Sequence, residues 1–164
     1  MKSAIIFYSF SGNTKQVAEL LVECFKERGE VTVIELNDLN EDGKFINQCK
    51  KAFRRKRTVI QNANFDLSAY DTICIGTPVW AFAPVPAINT YFDKASGIAG
   101  KDIIIFTTHG SGVGVGRCQN YMKEVLMKQG AKQIISFSVQ QSKVKDKKLV
   151  LTKIKEITRL WPNG

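Results

Sequence analysis

Ser9-Phe10-Ser11-Gly12-Asn13-Thr14-Lys15 follows directly on the apolar run Ala4 to Tyr8 and leads at once into Val17, Leu20, Leu21, Cys24 and Phe25, an apolar stripe at helical spacing. A short apolar strand, a loop of hydroxyls, an amide and a glycine, and an amphipathic helix make one β-α unit. Four more apolar runs follow, Val31 to Leu36, Thr72 to Ile75, Ile103 to Phe106 and Ile134 to Val139. Most are continuous, as expected of strands buried on both faces of a parallel sheet. Between and after them lie further stripes: Phe45, Ile46, Cys49 and Phe53; Ile88, Tyr91 and Phe92; Tyr121, Val125 and Leu126; Val150, Ile154, Ile157 and Trp161. The alternation predicts an α/β fold with a doubly wound, five-stranded parallel sheet, right-handed crossovers and helices on both faces. The connection from Asn37 to Asp71 is the least regular part, with Arg57 to Leu67 read as irregular.

The 164 residues are one domain's worth of chain, read as a single domain over 1–164. At 44% hydrophobic and 24% charged, the composition excludes collagen-like, disordered and disulfide-scaffold classes. No apolar run approaches the roughly 18 residues of a membrane span, and the Met1 to Tyr8 segment reads as a first strand rather than a leader. Cys24, Cys49, Cys74 and Cys118 form no CxxC pair and His109 is the single histidine, so no metal site is expected and a reducing, cytoplasmic compartment is. The formal charge is +9. Residues 41–57 and 143–159 each hold seven basic and two acidic residues, so the rest of the chain is close to neutral.

Ligands of such sheets bind beyond the carboxyl ends of the strands, which directs attention to the loops after the first, third and fourth. The first has neither Walker A nor GxGxxG spacing, yet its hydroxyls sit where a helix N-terminus presents free N–H groups, which suits a single phosphate. Simple capping by Ser11, Asn13 or Thr14 is the other reading. The third strand leads into Thr77-Pro78-Val79-Trp80-Ala81-Phe82-Ala83-Pro84, a stiff segment with two aromatics at the ligand edge, where Trp80 either stacks on a planar ring or covers the next helix. The fourth ends in Thr107-Thr108-His109-Gly110-Ser111-Gly112-Val113-Gly114-Val115-Gly116, whose glycines permit close backbone approach to a ligand. His109 reads either as a structural residue or as a proton donor.

Ser-x-Ser-Gly-Asn-Thr-Lys after the first strand, Tyr70-Asp71 with Gly76-x-Pro78-x-Trp80 around the third, and Phe106-x-Thr108-x-Gly110-Ser111-Gly112 after the fourth resemble the flavodoxin family over essentially the whole chain. The resemblance implies a sheet ordered 2-1-3-4-5 and FMN as cofactor. It implies that Ser9, Phe10, Ser11, Gly12, Asn13 and Thr14 form the phosphate loop. Thr77, Pro78, Val79, Trp80, Ala81 and Phe82 would then flank the isoalloxazine, and Thr108, His109, Gly110 and Gly112 its pyrimidine side. The implied function is electron transfer between redox partner proteins, with an FMN-dependent NAD(P)H or quinone oxidoreductase as the alternative. The positive charge favours partners with acidic docking surfaces; a membrane partner is not expected and nucleic acid is disfavoured, since the last helix keeps its apolar stripe with lysines on its other side. Ala81 and Phe82 depart from the family, standing where a flexible glycine and a carboxylate are common. A Cβ at 81 is expected to resist positive φ at a cost of about 1 kcal/mol or more, and the missing carboxylate to ease full reduction, which would draw the two one-electron potentials together.

Overall fold

The computed structural model describes residues 1–40, 45–61 and 63–159, Phe45 by its backbone alone. Trp161 and the side chain of Phe45, both named above, lie outside the described residues, as does Lys44 of the basic segment 41–57. Five parallel strands form the main sheet: β1 (Lys2–Phe7), β2 (Glu30–Glu35), β5 (Thr72–Pro78), β6 (Asp102–His109) and β7 (Gln133–Gln140), ordered β2-β1-β5-β6-β7. This is the expected 2-1-3-4-5 arrangement. Two further strands of two residues each, β3 (Asn37–Asp38) and β4 (Ile60–Gln61), pair antiparallel within the connection from β2 to β5. Part of the segment expected to be irregular is therefore tied to the end of β2.

The helices are α1 (Asn13–Lys26), α2 (Phe45–Phe53), α3 (Pro86–Lys94), α4 (Val115–Lys128) and α5 (Lys147–Arg159). Period-2 alternation along the central strands divides the core in two. Ala4, Ile6, Ile73, Ile75, Ile103 and Ile105 face α3 and α4, while Ile5, Phe7, Cys74, Ile104 and Phe106 face α1 and α5. The stripes of α1, α3 and α5 are buried where they are described, although Cys24 on α1 is only half-buried. α2 departs from its expected stripe: Ile46 and Phe53 are 70% and 59% exposed, and Gln48 and Ala52 turn inward instead. Among the described residues no helix is long and apolar enough to cross a membrane, and no cluster of potential metal ligands forms. All four cysteines are free.

Gly76 shows how tightly the central strands pack. It lies in register opposite Phe106, and a Cβ placed on it would fall 2.1 Å from Cζ of that ring. Phe106 is fully buried and stacks on Phe137 at 6.1 Å, so the ring has little room to yield. Gly76→Ala is expected to destabilise the fold by about 1–3 kcal/mol, and Phe106→Leu in the same chain to recover part of the loss. Denaturant midpoints measure both; a parental midpoint for Gly76→Ala would contradict this packing.

Candidate functional site

After β1 the chain crosses to the α1 face of the sheet, and after the neighbouring β5 it crosses to the opposite, α3 face. The divergence opens a crevice at the carboxyl edge. A cleft of about 290 Å³ lies there, with Phe10, Ser11, Asn13 and Thr14 from the first loop, Pro78, Val79 and Trp80 from the second and Thr108, His109 and Gly110 from the third. Ten of the sixteen residues expected at the site thus line one cavity. Ser9, Gly12, Thr77, Ala81, Phe82 and Gly112 do not line it, although several shape it.

Gly12 caps α1 in the left-handed region at φ 82°, a conformation that glycine adopts without steric cost. Ser9 Oγ accepts from the N–H of Lys15, and the Gly12 carbonyl accepts from Gln16. Among the described residues nothing accepts from the N–H groups of Asn13 and Thr14. Asn13 Nδ2 donates to Ser11 Oγ at 3.0 Å, ordering two exposed polar groups beside those free donors. Thr14 is buried, and its hydroxyl shares a 2.8 Å hydrogen bond with Thr108 Oγ1, joining the first loop to the third. Donors, a helix N-terminus and an open approach are the features by which a loop can hold an anion.

In the second loop, Thr77 turns inward, accepting from the N–H of Val85 and donating to the Pro78 carbonyl. Trp80 is only 5% exposed and meets the rings of Tyr8 and Phe10 edge-on, at 5.8 and 5.5 Å. It therefore belongs to the core as well as to the cleft wall, whereas Phe10 keeps 38% of its surface open. Trp80 and Ala83 exchange both backbone hydrogen bonds at 3.0 Å, with Ala81 at φ 46° and Phe82 at φ 69° between them. These are the features of a type I′ hairpin turn, whose two corners usually hold asparagine and glycine. Ala81 adopts positive φ all the same, and so does Phe82: both corners take it despite their Cβ atoms, at about 1–2 kcal/mol each. A close tertiary contact holds them there. The Phe82 ring lies so near Gly114 that a Cβ on that glycine would sit 2.4 Å from it, and the Arg117 guanidinium lies 5.9 Å from the ring centroid.

The third loop is fastened to the last strand. Gln140 Nε2 donates to the Gly110 carbonyl, and Gln141, in the 3₁₀ turn after β7, lines the cleft. Gln141 escaped the sequence reading because attention fell on three loops, and a lone glutamine after the fifth strand carries no motif. His109 ends β6 with its Nδ1 buried and, among the described residues, without a partner. Gly112 sits over it, the position of a Cβ there being 3.6 Å from His109 Cε1. Burial, and then the charge of Lys153, hold its pKa below the ordinary value. The ring is therefore neutral at pH 7, with one nitrogen donating and the other accepting.

His109 being the single histidine, its Cε1–H resonance can be followed alone. Its titration midpoint is expected below 6.5, and Lys153→Gln should raise it without restoring it fully, because burial is the larger cause. Between the folded and unfolded pKa values the unfolded chain binds more protons. The contribution to stability is therefore complete above about pH 6.5 and is lost as the pH falls through the folded pKa. A midpoint above 6.5 would contradict the buried placement.

Comparison with known proteins agrees with this architecture. The chain resembles a flavoprotein from Lactobacillus acidophilus, solved in complex with FMN, at 23% identity over 90% of this chain and 98% of that one, with a TM-score of 0.66. Oxidised flavodoxin 1 from Bacillus cereus matches at 20% identity over 97% and 98%, with a TM-score of 0.65. An NADH:FMN oxidoreductase in its apo form matches at 16% identity over 100% and 92%, with a TM-score of 0.67. No curated protein sequence matches. The flavodoxin family model matches residues 2–148, and by that match, together with its strand order and the crevice between β1 and β5, the chain belongs to the flavodoxin family.

Proposed function

We propose that the chain binds FMN in the cleft at the carboxyl edge and carries electrons between redox proteins. The observation that supports this most directly is the start of α1, where the N–H groups of Asn13 and Thr14 and the ordered pair Ser11–Asn13 stand together at the cleft. FMN ends in one phosphate and carries a planar ring, and the rest of the cleft suits the ring. Phe10 and Trp80 form an aromatic wall, with Pro78 and Val79 beside them. Opposite stand the polar groups of Thr108, His109, Gly110 and Gln141. Bound FMN supplies reversible electron transfer in one- and two-electron steps. The residues of this chain hold the phosphate, orient the ring and present neutral hydrogen-bonding groups to it. Neutral His109 offers a donor or an acceptor rather than a positive charge.

The excess of basic residues favours partner proteins with acidic docking surfaces, and the four free cysteines accord with a cytoplasmic location. A second reading, an FMN-dependent NAD(P)H or quinone oxidoreductase, draws support from the fold shared with the NADH:FMN oxidoreductase. Consumption of NADH or NADPH by the FMN-loaded protein, with a quinone as acceptor, separates the two.

The binding test uses the Ser11→Ala, Asn13→Ala variant. Thr14 is spared because its hydroxyl also serves Thr108 inside the fold. The expected loss in FMN affinity is roughly 2–4 kcal/mol, since each hydrogen bond to a charged group contributes about 1.5–3 and the two are coupled. Riboflavin, which lacks the phosphate, should bind both proteins alike. Fluorescence titration reads both ligands. Equal weakening of riboflavin would remove the phosphate from this loop.

A further inference from the structure

A second cleft lies on the α2 side, in a segment to which the FMN reading gives no role. α2 ends in a Schellman closure: the N–H of Arg55 bonds to the Ala52 carbonyl at 2.8 Å and that of Lys56 to the Lys51 carbonyl at 3.0 Å, with Arg55 at φ 49°. In this motif the left-handed residue is usually glycine, and the residue after it usually makes an apolar contact back to the helix. Here the left-handed residue is an arginine, its guanidinium 4.0 Å from the centroid of the Tyr121 ring. The two positions that the closure brings together are Lys51 and Lys56. Both of these lysines line the cleft.

The chain beyond the closure is anchored. The Arg57 guanidinium makes two bonds to Asp93, at 2.6 and 2.9 Å, and a third to the Arg55 carbonyl, while the N–H of Thr58 donates to Thr90 Oγ1. Lys51 Nζ reaches across to the Asn40 carbonyl at 3.1 Å. Lys50, Lys51, Arg54, Lys56 and Arg57, with Asn40 and Thr58, enclose a cleft of about 290 Å³. Among the described residues no carboxylate lines it. Of the described carboxylates, Asp38 is bonded to Asn40 and Thr58, and Asp93 to Arg57.

We propose that this cleft binds the diphosphate group of a small molecule. Several cations around one small concavity match a compact, multiply charged anion better than a single carboxylate. The volume is at the lower end of small-ligand clefts, about 300–1,000 Å³, and a concave pocket differs from the extended basic track that follows a nucleic-acid backbone. The other basic segment, around α5, packs on the opposite face of the sheet and cannot contribute.

The test is calorimetric titration of the full chain with pyrophosphate, after saturation with FMN so that the loop at α1 is filled. One saturable site is expected, weakening as salt is added. Arg54→Gln with Lys56→Gln should lower its affinity about tenfold or more. Lys148→Gln with Lys155→Gln, on the α5 face, should leave it unchanged. Thermal unfolding confirms that each variant folds; should the double variant fail to do so, Lys50→Glu, at an exposed position within the helix, gives the same reading. No saturable uptake, equal loss in the α5 variant, or citrate bound as tightly as pyrophosphate would overturn the proposal. So would an RNA duplex that binds more tightly than pyrophosphate and is lost in the α2 variants, which would assign the surface to nucleic acid. FMN absorbance reports the first cleft separately, so the two readings fail independently.

Discussion

The parting of the chain after two adjacent strands governs the rest of the molecule. β1 hands the chain to one face and β5 to the other, so the edge between them cannot be closed by either connection. Both strands are buried on each side and their backbone groups are paired along the ladders, so this gap opens only at the tips. The site is recruited from those tips and the loops that leave them: the start of α1 from one side, the end of β5 and the proline-stiffened turn from the other, and the end of β6 with its glycine segment beside them. Three separate bonds hold these loops in place. Thr14 meets Thr108, Val79 donates to the Thr108 carbonyl, and Gln140 holds Gly110.

The two left-handed corners at Ala81 and Phe82 show how local preference gives way to a tertiary constraint. Neither residue chooses that conformation alone, yet the paired bonds of Trp80 and Ala83 and the seat of Phe82 on Gly114 oblige them to adopt it. Backbone strain of this kind persists only where the surroundings over-determine it, and it concentrates at functional sites. Gly114 serves this arrangement twice, through its own positive φ and through the absence of a side chain beneath the ring.

Strand order and the position of the crevice were legible because they rest on pattern: continuous apolar runs, helical stripes and one distinctive loop. What escaped depends on partners distant in sequence. α2 was assigned the stripe of its apolar residues, but Gln48 and Ala52 face inward, and nothing in residues 45–53 alone announces that phase. β3 and β4 are two residues each, too short for any periodicity, and exist only because the chain returns to the end of β2. Thr77 looked like a site residue from its place after the third strand, yet its hydroxyl turns inward to serve the backbone of Val85. Trp80 was readable as an aromatic at the ligand edge, while its edge-on packing between Tyr8 and Phe10 follows from where their loops end.

The hydroxyl pair between Thr14 and Thr108 carries a consequence for polarity. Two oxygens 2.8 Å apart hold one hydrogen between them, and each hydroxyl owns one, so a second hydrogen is left over. Both threonines are buried and both line the cleft, so the surplus O–H has the cleft to point into. Reversing the direction of the bond transfers that O–H from one wall to the other without displacing a heavy atom. The cavity thus has a built-in rotor: an occupant with an acceptor near either threonine finds a donor waiting, at the cost of turning two hydrogens.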